Sequence, residues 1–320
     1  FLGQAFTEVF AAIGAEVIAI DRWALAAEMK APRPKVHRNV ENVDHDVTQP
    51  LPIHGRIDFI LSLAAIASPV HYARRPLDCF DVIVKGTRNM LELAGLKGAR
   101  MLLSSTSELY GDMRSGTVEM SEHQLGVLDP WNVRGRAYDV PKLASEALSS
   151  IFAERGVDVR TVRYFNIYGP GLSRHDYRVM SKFAAAVVDG VSIPVHGYVV
   201  QGFGHVPTRS FCYITDAIVG TLLVLTSPEK RPVNVGNPDE VSMHSLADTF
   251  AAVGHEMTRK AQRIEHVDSP PEYTQQPQRR LPNIDRLRGL GFESKVPLRE
   301  GVRRMLAWAI EAYAQEAQKK

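Results

Sequence analysis

The chain has 320 residues, of which 45% are hydrophobic and 23% charged, with a formal net charge of +2. That length supports one large domain or two smaller ones around a sizeable core, and so small a charge gives no electrostatic case for nucleic acid or an anionic membrane as main partner. Its two cysteines, Cys79 and Cys212, read as reduced core residues; no apolar run reaches the ~20 residues that span a bilayer, no secretion signal pattern opens the chain, and a cytoplasmic enzyme is the default expectation.

Phe1-Leu2-Gly3-Gln4 leads into an amphipathic helix expected over 5–13 and closed by Gly14, then a buried strand over 16–20 that ends in Asp21. Helix, strand and acid make the second half of a dinucleotide-binding βαβ unit. Gly3 would be the last of its three glycines, and about 10–12 residues carrying the first strand are expected to precede Phe1. Residues 23–43 read as a polar loop and a short strand. Asp46-Val47 follows, then a continuous apolar strand over 57–65, whose small-residue end after Leu63, Ala64-Ala65, either meets a cofactor closely or simply packs. Pro76 opens a long helix to 96, and Met101-Leu102-Leu103 begins a buried strand that ends in Ser104-Ser105-Thr106-Ser107-Glu108. A helix starting at Tyr138 is expected to run to 154, and a strand covers 158–164. Alternating strands and helices with short links predict a doubly wound parallel α/β sheet of Rossmann type.

After Asn166 the rhythm loosens. Turns are expected at Gly169-Pro170-Gly171 and over 201–204, helices over 180–188, 216–225 and 298–313, and strands over 209–213 and from 233. Residues 1–165 are therefore read as the dinucleotide-binding domain and 166–320 as mainly a smaller α/β substrate lobe, with 208–236 returning to the first domain.

The chemistry gathers at two stretches. Open α/β sheets bind ligands at the carboxyl ends of their strands, where Ser104 to Glu108 lie. Tyr138 and Lys142 are four residues apart, on one face of a helix. A lysine ammonium near a phenol is expected to lower its pKa from ~10. Hydroxyl, activated phenol and lysine together make a proton-transfer site beside a hydride acceptor.

These stretches, with Ala67-Ser68-Pro69-Val70-His71-Tyr72, Arg163-Tyr164-Phe165-Asn166-Ile167-Tyr168-Gly169-Pro170 and Gln276-Pro277-Gln278-Arg279-Arg280, resemble the extended short-chain dehydrogenase/reductases of the sugar-nucleotide epimerase/dehydratase superfamily, most nearly its UDP-glucuronate decarboxylase (UDP-xylose synthase) group. The resemblance covers nearly the whole chain. It implies NAD as cofactor, contacted by Phe1, Leu2, Gly3, Asp21, Asp46, Val47, Leu63, Ala64, Ala65, Ser104, Tyr138, Lys142, Tyr164, Asn166 and Ile167. It implies a UDP-sugar held by Ser68, Tyr72, Glu108, Asn166, Lys182, Arg209 and Arg280. Catalytic roles fall to Thr106, Ser107, Glu108, Tyr138, Lys142 and Arg280, with Glu108 and Arg280 bracketing the substrate's carboxylate-bearing carbon. Dehydratases of the superfamily carry an aspartate where Ser107 stands, so this site suits a sugar whose 4-keto form breaks down without an added acid, such as a 4-keto uronic acid. No metal is implied; His71, His175, His196 and His205 lack ligand spacing. The implied partner is a second copy of the chain, joined by helices 76–96 and 138–154 in a four-helix bundle.

Plainer readings stand beside these: Asp21 as a strand-end turn residue, Glu108 as a solvated one, Arg209 and Arg280 as surface arginines, and Arg22 as the holder of a 2′-phosphate. Ile83, Gly171 and Gln275-Gln276 depart from the family's usual residues, as does Pro141 inside the Tyr-x-x-x-Lys stretch, and Arg134 and Arg136 are expected to crowd the approach to Tyr138. The alternatives to decarboxylation are a 4-epimerase, an oxidative decarboxylase that releases NADH, and a non-catalytic nucleotide sensor.

Overall fold

The computed structural model describes residues 1–28, 37–111, 119–196, 207–268 and 279–317. Its first half runs α1 (Leu2–Ala12), β1 (Val17–Asp21), α2 (Trp23–Glu28), β2 (Val40–Asp44), β3 (Phe59–Ser62), α3 (Pro69–Arg74), α4 (Pro76–Lys97), β4 (Arg100–Thr106), α5 (Val140–Glu154) and β5 (Val159–Tyr164). The second half continues with β6 (Ile167–Tyr168), α6 (Val179–Asp189), β7 (Ile193–His196), β8 (Thr208–Ser210), β9 (Cys212–Tyr213), α7 (Ile214–Thr226), β10 (Val233–Val235) and β11 (Glu240–Ser242). It closes with α8 (Met243–Thr258), β12 (Ile264–Val267), β13 (Arg279–Arg280), α9 (Asp285–Arg288) and α10 (Leu298–Ala317).

The parallel ladder β10-β5-β4-β3 is the centre of the molecule, and β1-β2 forms a second parallel pair. Successive side chains of a strand face opposite ways, and β4 uses both faces. Met101 and Leu103 pack with Leu91 and Ala94 of α4, whereas Leu102 joins Val162, Ala217 and Val224 on the other side. Helices therefore cover both faces, as a buried parallel sheet requires. The long helix α4 forms because Pro76 suits a first turn and Asp78 complements the dipole there. Buried residues at helical spacing, Cys79, Ile83, Thr87, Met90, Leu91 and Ala94, give it one apolar face, and Gly98 closes it in the left-handed conformation.

The second lobe packs α6, α8 and α10 around Phe183, Phe250, Met305 and Leu306. Its strands are short: β11-β8-β13 in one sheet, β12-β7 in another. The Asp216 carboxylate fastens the closing segment by accepting from the Ser294 hydroxyl and the backbone N–H groups of Lys295 and Val296, at 3.0–3.1 Å.

Several local expectations shift. Residues 23–28 are helical where a loop was expected, and the apolar run over 57–65 is strand only from Phe59 to Ser62. The alternating segment over 209–213 is two strands, because Phe211 breaks it: β8 pairs with β11 and β13, and β9 pairs with β6. Tyr138 is not in the first turn of α5 but in a π-turn, Gly135–Asp139, that feeds it. Pro141 sits in the first turn of α5, where its missing N–H costs nothing. The β7, α8, β11 and β12 elements went unread. Gln275 and Gln276 lie outside the described residues, as do residues 201–204 and His205.

Candidate active site

A cavity of about 1410 Å³ runs along the carboxyl ends of β1, β3, β4 and β5 and between the facing edges of β1 and β3. Its lining gathers Phe1, Leu2, Gly3, Asp21, Asp46, Val47, Leu63, Ala64, Ala65, Ser104, Tyr164, Asn166 and Ile167. Tyr138, Lys142, Thr106, Ser107, Glu108, Ser68 and Tyr72 line it as well. Residues spread over most of the first 167 positions thus share one volume, because parallel strands deliver their carboxyl ends to the same edge.

At its floor, β4 ends in four buried hydroxyl residues, Ser104, Ser105, Thr106 and Ser107. The Thr106 hydroxyl is hydrogen-bonded to the Tyr138 phenol and also accepts from the Glu108 N–H at 3.2 Å. Lys142 lies 5.8 Å from the centre of the Tyr138 ring, and its ammonium donates to the Ser104 carbonyl at 2.6 Å. Tyr72 stacks on Tyr138 with ring centres 5.8 Å apart and planes 17° from parallel.

The electrostatics differ from expectation. Burial, then the charge of Glu108, pushes the Tyr138 phenol well above its ordinary value, and the Thr106 hydrogen bond offsets only part of this. Burial also pushes Lys142 down, to about 8. With the lysine itself desolvated, it does not lower the phenol in the protein alone; removal from water outweighs the charge pairing. Burial works against the Glu108 charge too, but the Arg280 and Arg134 guanidiniums outweigh it and hold the carboxyl below the usual range.

Arg280, buried at 5% exposure, comes from β13 and donates to Glu108 Oε1. The two residues expected to bracket a substrate carbon are thus paired with each other here. Arg209 stands on β8 within electrostatic reach of both, and burial and Arg280 push it down to about 10. Arg209, Arg280 and Lys182, which lies on α6, do not line the cavity. Ser68 donates to the Asp176 carbonyl at 2.7 Å, and Asn166, at φ +41°, donates from its amide to the Ser210 carbonyl at 2.8 Å. Ile83 fills an apolar pocket with Ile66, Tyr72, Cys79 and Ala137, so no polar group is stranded there.

Two residues around Tyr138 were missed, Asp139 and Arg178, and Arg134, expected only to crowd the approach to the tyrosine, is an ion-pair partner there. Arg134, just ahead of the π-turn, reaches Glu108 from behind Tyr138, and Asp139, at the end of the turn, pairs with Arg134. Arg178 lines the cavity, is paired with Asp176, and lies within electrostatic reach of the Tyr138 phenol. Their charge was visible, but only the fold brings them to the tyrosine.

The lining fits an NAD-type dinucleotide. Space beside Gly3 is open to 4 Å around the position of an added Cβ, so a ligand can approach the backbone. Asp21 offers its carboxylate at the end of β1, the place of a ribose acceptor. Arg22, the candidate for a 2′-phosphate, is paired with Asp46 at 3.2 Å.

Residues 1–236 match the model of the NAD dependent epimerase/dehydratase family. The chain is 36% identical over 289 residues to UDP-glucuronic acid decarboxylase 6 of Arabidopsis thaliana, covering 90% of this chain and 79% of that one. It is 34% identical over 308 residues to UDP-glucuronic acid decarboxylase 1 of Xenopus tropicalis, covering 96% and 69%. Among solved structures, UDP-glucose 4-epimerase of Thermotoga maritima superposes with a TM-score of 0.82 at 19% identity, covering 98% and 96%. UDP-glucuronic acid 4-epimerase of Bacillus cereus, solved with UDP-glucuronic acid and NAD, gives 0.74 at 19%, covering 98% and 95%.

Proposed function

Because the chain belongs to the NAD dependent epimerase/dehydratase family, we propose that it is an NAD-dependent carboxy-lyase that converts UDP-glucuronate to UDP-xylose and CO2 through a 4-keto intermediate. The observation that carries this reading is the floor of the cavity: Tyr138 on Thr106 beside Lys142, with the Glu108–Arg280 pair next to it and Ser107 where an expelling acid would stand. Gly3, Asp21 and the ends of β3 to β5 would hold NAD, which would supply a reversible hydride acceptor for C4.

As the phenolate that the positive charges of bound NAD+ and Lys142 would favour over the protein-alone state, Tyr138 takes the C4 hydroxyl proton as the carbon is oxidised, and Thr106 holds that oxygen. Lys142, pushed down to about 8 and donating to the Ser104 carbonyl, fixes the tyrosine's surroundings. The 4-keto uronate is a β-keto acid: the C5–C6 bond breaks, CO2 leaves, and its electron pair passes to the enolate. C5 then takes a proton from solvent water, which balances the carboxylate lost as CO2, and Tyr138 returns its proton to the C4 oxygen as the carbonyl is reduced. Glu108, kept ionised by its arginines, and Arg280 orient the carboxylate and the enolate. Arg209, Lys182, Ser68, Tyr72 and Asn166 hold the nucleotide and sugar, so residues 1–165 serve mainly the cofactor and 166–320 mainly the substrate.

The test is incubation with UDP-glucuronate and NAD+, following CO2, NADH absorbance and product by NMR. CO2 with UDP-xylose and no lasting NADH is expected. Lasting NADH overturns it in favour of an oxidative decarboxylase, the C4 epimer without CO2 in favour of an epimerase, and no turnover of any sugar nucleotide in favour of a sensor. The chain acts as a homodimer through α4 and α5, which pack together and leave Leu77, Leu96 and Ile151 at 79%, 84% and 46% exposure; a monomer mass by light scattering refutes this. No helix among the described residues is long and apolar enough to cross a membrane, and cell fractionation tests the cytoplasmic location we assign.

A further inference from the structure

Four charged side chains stand in a row behind Tyr138: Asp139, Arg134, Glu108 and Arg280. Arg134 Nε donates to Asp139 Oδ2 at 3.0 Å, and its Nη1 lies 3.6 Å from Glu108 Oε2. Arg280 holds the other carboxylate oxygen, Oε1. Asp139 is 2% exposed, and the Arg134 and Glu108 side chains are 22% and 23% exposed, so the row is largely desolvated and its pairings count for more than surface pairs do.

The row joins two pieces of chain that fold separately. Thr106 and Glu108 belong to the end of β4 and the turn after it, whereas Tyr138 and Asp139 belong to the π-turn ahead of α5 and Arg134 immediately precedes that turn. Within the row, Arg134 is the side chain that spans them by charge. Its reach to Glu108 is incomplete: 3.6 Å is an ion pair and not a hydrogen bond. Three buried atoms of the row, Glu108 Oε2, Asp139 Oδ1 and Arg280 Nε, have no hydrogen-bond partner among the described residues. Buried polar atoms left without partners are costly, and a shift of Arg134 by less than about 1 Å satisfies Glu108 Oε2. Catalytic hydrogen bonds that are long in the free enzyme commonly tighten with substrate bound.

We propose that Arg134 is a positioning residue: anchored by Asp139, it closes onto Glu108 Oε2 during turnover and fixes Glu108 against the reacting centre at Tyr138. The charged and titratable groups facing this row are Arg280 and Arg209 from the second lobe, Tyr72 from α3 and Tyr138 itself. Glu108 is held low by Arg280 and Arg134, whereas burial and Glu108 push Asp139 up to about 7. Arg134 lowers both carboxyls, so loss of its cation raises the Glu108 titration, whereas Asp139, pushed up to about 7, is already neutral where Glu108 titrates and its replacement by Asn leaves that titration in place.

The proposal rests on the decarboxylase reading for its reaction, and its test separates the two. Wild type, Arg134→Gln, Arg134→Ala and Asp139→Asn are assayed for CO2 release from UDP-glucuronate, and their side-chain carboxyls are titrated by 13C NMR. Arg134→Gln is expected to lower kcat roughly tenfold to a hundredfold, the range of one charged hydrogen bond, with KM changed less than about threefold. Its Glu108 resonance titrates at higher pH than in wild type, that of Asp139→Asn stays at the wild-type position, and added guanidinium restores part of the Arg134→Ala activity. Unchanged kcat in Arg134→Gln, or a Glu108 titration that this variant does not raise, overturns the assignment. Should the wild type release no CO2, the decarboxylase reading falls while the upward Glu108 shift in Arg134→Gln still decides Arg134. Should Arg134→Gln fail to fold, Arg134→Lys, which keeps the charge without the guanidinium fork, decides by its kcat, and an unchanged value overturns the assignment.

Discussion

Lys142 is the clearest place where the proposed chemistry and stability pull apart. Its side chain is 3% exposed, and burial lowers its pKa from 10.5 to about 8. An unfolded chain binds the proton up to pH ~10.4, so between about 8 and 10.4 the unfolded state holds more protons and stability rises with pH. At pH 7 the buried ammonium costs about 3 kcal/mol, from somewhat over two pK units at 1.36 kcal/mol each. Lys142→Met removes this cost and also removes the hydrogen bond to the Ser104 carbonyl, a loss of about 1–3 kcal/mol. The variant should therefore be as stable as wild type at pH 7, or more stable by up to about 2 kcal/mol, while its turnover collapses. Raising the pH to 9.5 returns about 2 kcal/mol to the wild type and nothing to the variant. Urea denaturation of both proteins at pH 7 and 9.5 measures the difference directly, with other titrating groups cancelling between them. A variant less stable than wild type by the same margin at both pH values refutes the reasoning and makes Lys142 a stabilising ion.

Three further outcomes follow from the geometry. Leu102→Ala in β4, at 0% exposure, should lose about 2–5 kcal/mol in denaturant titration with the fold retained. Arg280→Met should cost about 3 kcal/mol by leaving Glu108 without its partner, and adding Glu108→Gln should recover at least half; additive losses in that cycle would show the pair is uncoupled. At Gly135 an added Cβ would stand 1.8 Å from the Asp129 carbonyl oxygen, so Gly135→Ala must move the π-turn. It should lower kcat roughly tenfold or more while melting within a few degrees of wild type, since a small displacement of an aligned group is enough.

What could be read in advance was what repeats along the chain. The apolar run at 101–103, the helical spacing from Cys79 to Ala94 and the glycine after each of α1 and α4 are local patterns with local causes, and they appear as β4, α4 and its cap. The second lobe carried weaker signals. β8 and β9 read as one strand because alternation continues through Phe211, and only tertiary pairing divides them. α8 went unread although Ser242 caps it by accepting from the Ser245 N–H at 3.0 Å; its mixed polar sequence shows its apolar face only where Leu246, Phe250 and Val253 meet α6 and α10.

The site divides in the same way. Ser104, Thr106, Tyr138 and Lys142 are a matter of spacing on elements that could be recognised, and they meet at the cavity floor. The signs of their interactions are a matter of burial, which no spacing encodes. Two groups four residues apart suggest an ammonium lowering a phenol, but that holds only if the ammonium stays charged and solvent screening is weak for the pair and not for each ion alone. Here both are taken out of water. Lys142 yields part of its charge, Tyr138 keeps its proton, and Glu108 adds a negative field nearby. The charge that does survive desolvation belongs to guanidiniums, which stay protonated when buried: Arg280 and Arg134 on Glu108, Arg178 facing Tyr138. Two of those three, Arg134 and Arg178, carried no motif. A tyrosine-lysine pair in a sequence thus locates the proton relay, and the arginines that the fold brings around it decide which of its members are ionised.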